Sequence, residues 1–119
     1  NAGRCLSPDG TWTAFSKHYV GDHEPDLPWI SPLYGELYDL PPILIYVGEN
    51  EILYDDAVSF AKEAKDSGVD VTLRVGEGLF HCYPVCAPFF PEARKAMNEI
   101  CEFIKMHLTK KNGLQNKPN

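Results

Sequence analysis

Apolar positions along this chain shift between irregular, continuous and periodic spacing, and each shift marks an element. Residues 1–28 are mostly polar, with the turn-rich stretches "SPDG" and "GDHEPDLP" on either side of "TWTAFSKHYV". That stretch predicts a short helix capped by Ser7 or Asp9, with Trp12, Phe15 and Tyr19 on one packing face. "WISPLYGELYDLPP" is proline-rich and irregular, the pattern of a segment laid across a surface. After Pro41 and Pro42, "ILIYVGE" is a continuous apolar run rich in β-branched residues, which predicts a strand buried on both faces. "YDDAVSFAKEAKDSG" follows as a helix, with Ala57, Phe60, Ala61 and Ala64 on one face and Gly68 as its stop. "VDVTLRVGEG" alternates Val69, Val71, Leu73 and Val75 with polar residues and predicts a second strand. "PEARKAMNEICEFIKMHL" is a long amphipathic helix with Pro91 in its first turn. Its apolar face takes in Ala93, Ala96, Met97, Ile100, Cys101, Ile104 and Leu108.

Strand, helix, strand, helix is the order of an α/β fold whose two strands run parallel. Two parallel strands make a poor sheet by themselves, because such strands need neighbours and cover on both faces. The alternating second strand suits an edge and the wholly apolar first strand a central place. The sequence thus reads as the closing part of a larger sheet: a lead-in of loop and short helix over 1–40, a β-α-β-α unit over 41–108, and a flexible tail over 109–119. An uncovered edge predicts self-association.

Composition narrows the function. Apolar residues make up 44% of the 119 and charged residues 24%, ordinary for a globular domain. The net charge of -6, with no basic stripe, argues against nucleic acid and anionic membranes as partners. No apolar run is long enough for stable membrane insertion, and no signal peptide is visible, which leaves a cytoplasmic location as the expectation. Cys5, Cys82, Cys86 and Cys101 allow a disulfide framework, but nothing else resembles a small secreted scaffold. Cys82 and Cys86 beside His81 invite a zinc reading. A C-x-x-x-C with Pro84 inside it and no second ligand pair does not match a usual zinc knuckle, so the cysteines are read as buried thiols. No metal or cofactor is called for.

The chemistry gathers where the strands end. In open α/β sheets functional groups collect at the carboxyl ends of strands. The first strand ends in "GENEILYDD", with Glu49, Glu51, Asp55 and Asp56, and the second in "GEGLFHCYP", with His81. Neighbouring strands lie about 4.8 Å apart, so an acid after one can reach a histidine after the next. Such a carboxylate fixes the imidazole tautomer and stabilises its protonated form. Acid followed by histidine is also the chain order of the α/β-hydrolase triad. His18, His23 and His107 lie in polar or helix-surface settings and read as exposed.

Several spaced motifs sharpen this. "SPL", then "LPP" ahead of an apolar strand, "GENEILYDD", a helix, "GVDV" and a glycine-rich turn into "HCY" resemble the C-terminal third of hormone-sensitive-lipase-like α/β-hydrolase esterases, over residues 27 to 108. The resemblance implies the C-terminal portion of an α/β-hydrolase fold and a serine carboxylesterase or lipase. It puts His81 on the catalytic base and Glu51 on the triad acid. Asp55 falls on a second frequent acid of the motif and is the alternative; in the first turn of a helix it would instead favour the helix dipole. Trp29, Tyr34, Phe80 and Tyr83 are candidates for lining a substrate pocket, and Phe89 and Phe90 also flank the histidine; all could equally be packing residues.

The same resemblance exposes two departures. The G-x-S-x-G elbow and the H-G-G-G stretch of the family are absent, and Ser7, Ser31, Ser59 and Ser67 stand in loop or helix settings. The expectation is therefore an enzyme whose serine and oxyanion hole lie in a missing N-terminal part, acting on a short-chain ester or lipid-like substrate. This chain alone would be inactive. A non-catalytic binding protein on the same fold is the alternative, as in the plant gibberellin receptors, which lose the histidine that this chain keeps. A third reading is a stand-alone interaction module or swapped dimer.

Overall fold

A computed structural model of the chain describes residues 1, 3–5 and 10–112, with side chains through residue 109. Within it the chain forms two compact units, Asn1–His81 and Cys82–Asn119.

The first unit contains helix α1 (Thr11–Val20), strand β1 (Ile43–Gly48), helix α2 (Tyr54–Asp66) and strand β2 (Val71–Gly76), with a single 3-10 turn over Pro32–Tyr34. The two strands pair in parallel, in register from Ile43 opposite Val71 to Gly48 opposite Gly76. Among the described residues the sheet has these two strands alone. The expected β-α-β unit is thus present, and α2 lies against both strands. The core forms there. Leu37, Ala61, Ala64, Val69 and Val71 are buried together, and Ile43, Ile45, Phe60 and Leu73 pack around them. The register explains the set: Ile43 faces Val71 and Ile45 faces Leu73, so all four side chains leave the same side of the sheet. The small Ala61 and Ala64 let the helix backbone come close.

α2 stops as its glycine predicts. Gly68 adopts φ +84°, the Gly68 N–H donates to the Lys65 carbonyl at 2.9 Å, and the Val69 N–H donates to the Ala64 carbonyl at 3.0 Å. This paired closure satisfies the last carbonyls of the helix and carries Val69 back into the core.

Two expectations about the first unit need correction. Residues Ile43 to Tyr46 of β1 are half-buried, and only Val47 and Gly48 are buried, so among the described residues the strand is not covered on both faces. Gly10, with φ +82°, precedes α1; Ser7 and Asp9, the expected caps, lie outside the described residues. On α1, Trp12 is half-buried while Phe15 and Tyr19 are exposed, so the aromatic stripe is a packing face at its first member only.

The second unit contains a 3-10 turn over Tyr83–Cys86 and helix α3 (Pro91–Asn112). α3 takes in the first four residues, 109–112, of the expected tail. Ala93 and Ala96 are buried, Met97 and Ile100 are half-buried, and Cys101, Ile104 and Leu108 are exposed, so the cover on the apolar face fades toward the C-terminus. The thiol expectation fails with it: Cys82 and Cys101 are exposed, and Cys5 and Cys86 are half-buried. His107 is half-buried rather than exposed, its ring tilted over Phe103 at 4.4 Å between centroids. His18 and His23 are exposed.

Candidate active site

The carboxyl ends of β1 and β2 are tied to each other by backbone. The Glu49 N–H donates to the Gly76 carbonyl at 2.9 Å and the Asn50 N–H to the Leu79 carbonyl at 3.1 Å. The Glu49 carboxylate accepts from the Gly78 N–H at 2.8 Å, which closes the β2 turn onto the β1 loop. Gly78 makes that turn with φ +66°. Gly48 is needed for a different reason. A Cβ there would lie 2.6 Å from the Leu79 carbonyl oxygen and 2.7 Å from that of Phe80, so only glycine lets the segment before His81 cross the end of β1.

That crossing brings His81 to Glu51. The Glu51 loop is a tight turn, its N–H donating to the Gly48 carbonyl at 3.1 Å. The turn points the side chain inward, where it is 4% exposed and the one charged residue buried among those described. Its two oxygens have separate tasks. Oε1 accepts from the Gly48 N–H at 2.8 Å, and Oε2 is in hydrogen-bond contact with His81 Nδ1. A carboxylate removed from water needs such partners. The His81 side chain is 34% exposed, so the imidazole is embedded on the acid's side and still within reach of solvent. Asn1 adds a clamp from outside: its side-chain amide donates to the carbonyls of Glu49 at 2.7 Å and Glu51 at 3.0 Å.

The other expected residues fall elsewhere. Asp55 is exposed in the first turn of α2, beside Asp56, where a negative charge suits the helix dipole. Trp29 is 73% exposed and does not line either of two cavities found in the first unit. Tyr34 lines both. The larger holds about 530 Å³ and is walled by Ile30, Leu33, Tyr34, Asp56 and Phe60 among others, and neither Glu51 nor His81 belongs to it. Phe80 is half-buried, Tyr83 is buried, Phe89 is exposed and Phe90 is half-buried. Cys82, directly after His81, adopts φ +58°. Among the described residues no group of three or more His, Cys, Asp or Glu side chains is arranged to hold a metal ion.

Sequence reasoning overlooked three residues of this neighbourhood. Trp12 meets the His81 ring edge-on, with centroids 5.9 Å apart. Asn1 holds the acid loop, and Gly48 admits the histidine segment. Only Gly48 had a visible signal, a glycine closing an otherwise apolar strand.

Comparison with known proteins agrees with the fold. A family model described as the alpha/beta hydrolase fold matches residues 2–85. An esterase of Acinetobacter venetianus is 39% identical over 88 residues, which are 73% of this chain and 29% of the relative. The hormone-sensitive lipase of Mus musculus is 34% identical over 85 residues, 69% of this chain and 11% of that protein. Among solved structures, a hormone-sensitive-lipase homologue from a metagenome library, EstE7, superposes with a TM-score of 0.83 at 34% identity, covering 88% of this chain and 37% of its own. The chain spans about a third of the length of the first curated relatives it matches. It belongs to the alpha/beta-hydrolase fold family, and within that family it is like the esterases related to hormone-sensitive lipase.

Proposed function

We propose that this chain is the C-terminal part of a serine carboxylesterase and supplies the acid and the base of its triad. The carrying observation is the contact of a buried Glu51 with His81 Nδ1 at the carboxyl ends of two adjacent parallel strands. The names of the relatives, an esterase, an acetyl-hydrolase and a carboxylesterase/phospholipase, support ester hydrolysis as the reaction. No G-x-S-x-G occurs in the 119 residues, so in this reading the nucleophile and the oxyanion hole come from polypeptide outside them.

The mechanism follows from the site's polarity. A carboxylate on Nδ1 makes that nitrogen the donor and leaves Nε2 as the basic nitrogen. His81 Nε2 takes the proton of the serine hydroxyl as its oxygen attacks the ester carbonyl. The imidazolium that forms is stabilised by Glu51, which stays ionised. His81 then gives the proton to the departing alcohol. Water, activated in the same way, releases the acid from the acyl-enzyme. A short-chain ester or lipid-like molecule is the substrate class in this reading.

The test is turnover of a short-chain nitrophenyl ester by the full-length protein. His81→Ala should lower kcat at least about a thousandfold, because the serine loses its base. Turnover near the wild-type level in that variant would sink the assignment.

A further inference from the structure

We propose that Trp12 is a positioning residue for His81, walling one side of the imidazole and keeping water from the Glu51–His81 hydrogen bond. Its effect on turnover rests on the esterase reading above; its effect on the hydrogen bond rests on geometry alone.

A histidine ring turns about a soft torsion, since rotation about Cβ–Cγ has broad minima. The Glu51 contact holds only one of its atoms, Nδ1. Packing adds a further constraint on the ring, and the tryptophan in the first turn of α1 provides it. The Trp12 and His81 ring centroids lie 5.9 Å apart with the planes at 82°, an edge-to-face contact of ordinary aromatic geometry. Trp12 is held in turn by Phe15, at 6.3 Å and 77°. α1 half-buries Trp12 while Phe15 and Tyr19 stay exposed, so the aromatic it buries is the one that meets His81. The indole Nε1 is buried and has no hydrogen-bond partner among the described residues. A buried donor left unpaired is unfavourable, and phenylalanine would carry none. The ring surface, not the N–H, is therefore what this position supplies. Because Glu51 is already buried, a wall on the imidazole adds cover to the more exposed partner of their bond.

The experiment compares Trp12→Ala, Trp12→Phe and Trp12→Leu in the full-length protein by two readings. One is kcat and KM on a short-chain nitrophenyl ester. The other is the low-field proton resonance of His81 Nδ1–H, assigned by its loss in His81→Ala. Trp12→Ala should lower kcat about tenfold or more with KM within about threefold, as expected when a reacting group is misplaced. It should also broaden the Nδ1–H signal by exchange with water. Trp12→Phe should restore both. If Trp12→Ala does not fold, Trp12→Leu keeps apolar bulk without the aromatic edge and is read in the same way. A rise in KM with kcat intact would make Trp12 a substrate contact and overturn the proposal. So would wild-type kcat and an unchanged Nδ1–H signal in Trp12→Ala, a fall in Trp12→Phe equal to that in Trp12→Ala, or a wild-type protein with no Nδ1–H signal. A wild-type protein without esterase activity defeats the esterase reading instead, and the resonance then decides the role of Trp12.

Discussion

Glu51 and Asp55 stand four residues apart in one acidic stretch, and their surroundings could hardly differ more. Glu51 sits in the turn between β1 and α2, nearly closed to water, with a backbone N–H on one oxygen and an imidazole on the other. Asp55 projects into solvent from the first turn of α2. The difference has a consequence for rate. Glu51→Gln keeps an oxygen for the Gly48 N–H but removes the negative charge that favours the imidazolium and its tautomer. In the full-length protein its kcat on a nitrophenyl ester should drop about a hundred- to ten-thousandfold. Asp55→Asn should stay within about threefold of wild type, since its charge acts on a helix end in high dielectric. Comparable losses from both variants would mean that the motif's two acids share the role.

At the scale of elements, the site depends on one close crossing. β1 must end in glycine because the backbone of Leu79 and Phe80 passes where a side chain would stand. The crossing also delivers the Leu79 carbonyl to the Asn50 N–H and brings the Gly78 N–H to Glu49, so the acid loop and the histidine segment hold each other. Gly48→Ala would force backbone atoms from under 3 Å to contact distance and break these links. It should lower the unfolding free energy by more than about 2 kcal/mol, measured by chemical denaturation, and should lower kcat as well. A fully stable Gly48→Ala variant would refute the crossing.

For the molecule as a whole, the described core is thin. Among the described residues no large side chain is completely buried, although each fully buried Leu or Val contributes about 1.5–3 kcal/mol. Trp29, Tyr38, Val85 and Phe89 are all well exposed. Parallel two-stranded sheets need more neighbours than this one has among the described residues. The isolated 119-residue chain should therefore sediment as associated species, with a broad thermal transition. A monomer with a sharp, cooperative melt would contradict that expectation. No helix among the described residues is long and apolar enough to cross a membrane.

Much of this was legible before any coordinates, and the physical reason is locality. The apolar run 43–47, the 3.6-residue spacing of Ala57, Phe60, Ala61 and Ala64, and the stop at Gly68 are short-range patterns, and each became the expected element. Parallel pairing followed from their order, and the meeting of an acid with His81 followed from the pairing. What the chain did not disclose were choices made by distant partners. Which of two carboxylates turns inward depends on the Gly48 N–H and on where residues 79–80 cross. Whether Trp12 packs against Phe15 alone or also against a histidine 69 positions away depends on how α1 docks. Burial of the cysteines and of the far end of α3 was misjudged for the same reason: periodicity tells which side of a helix is apolar, and only the fold decides whether anything covers it.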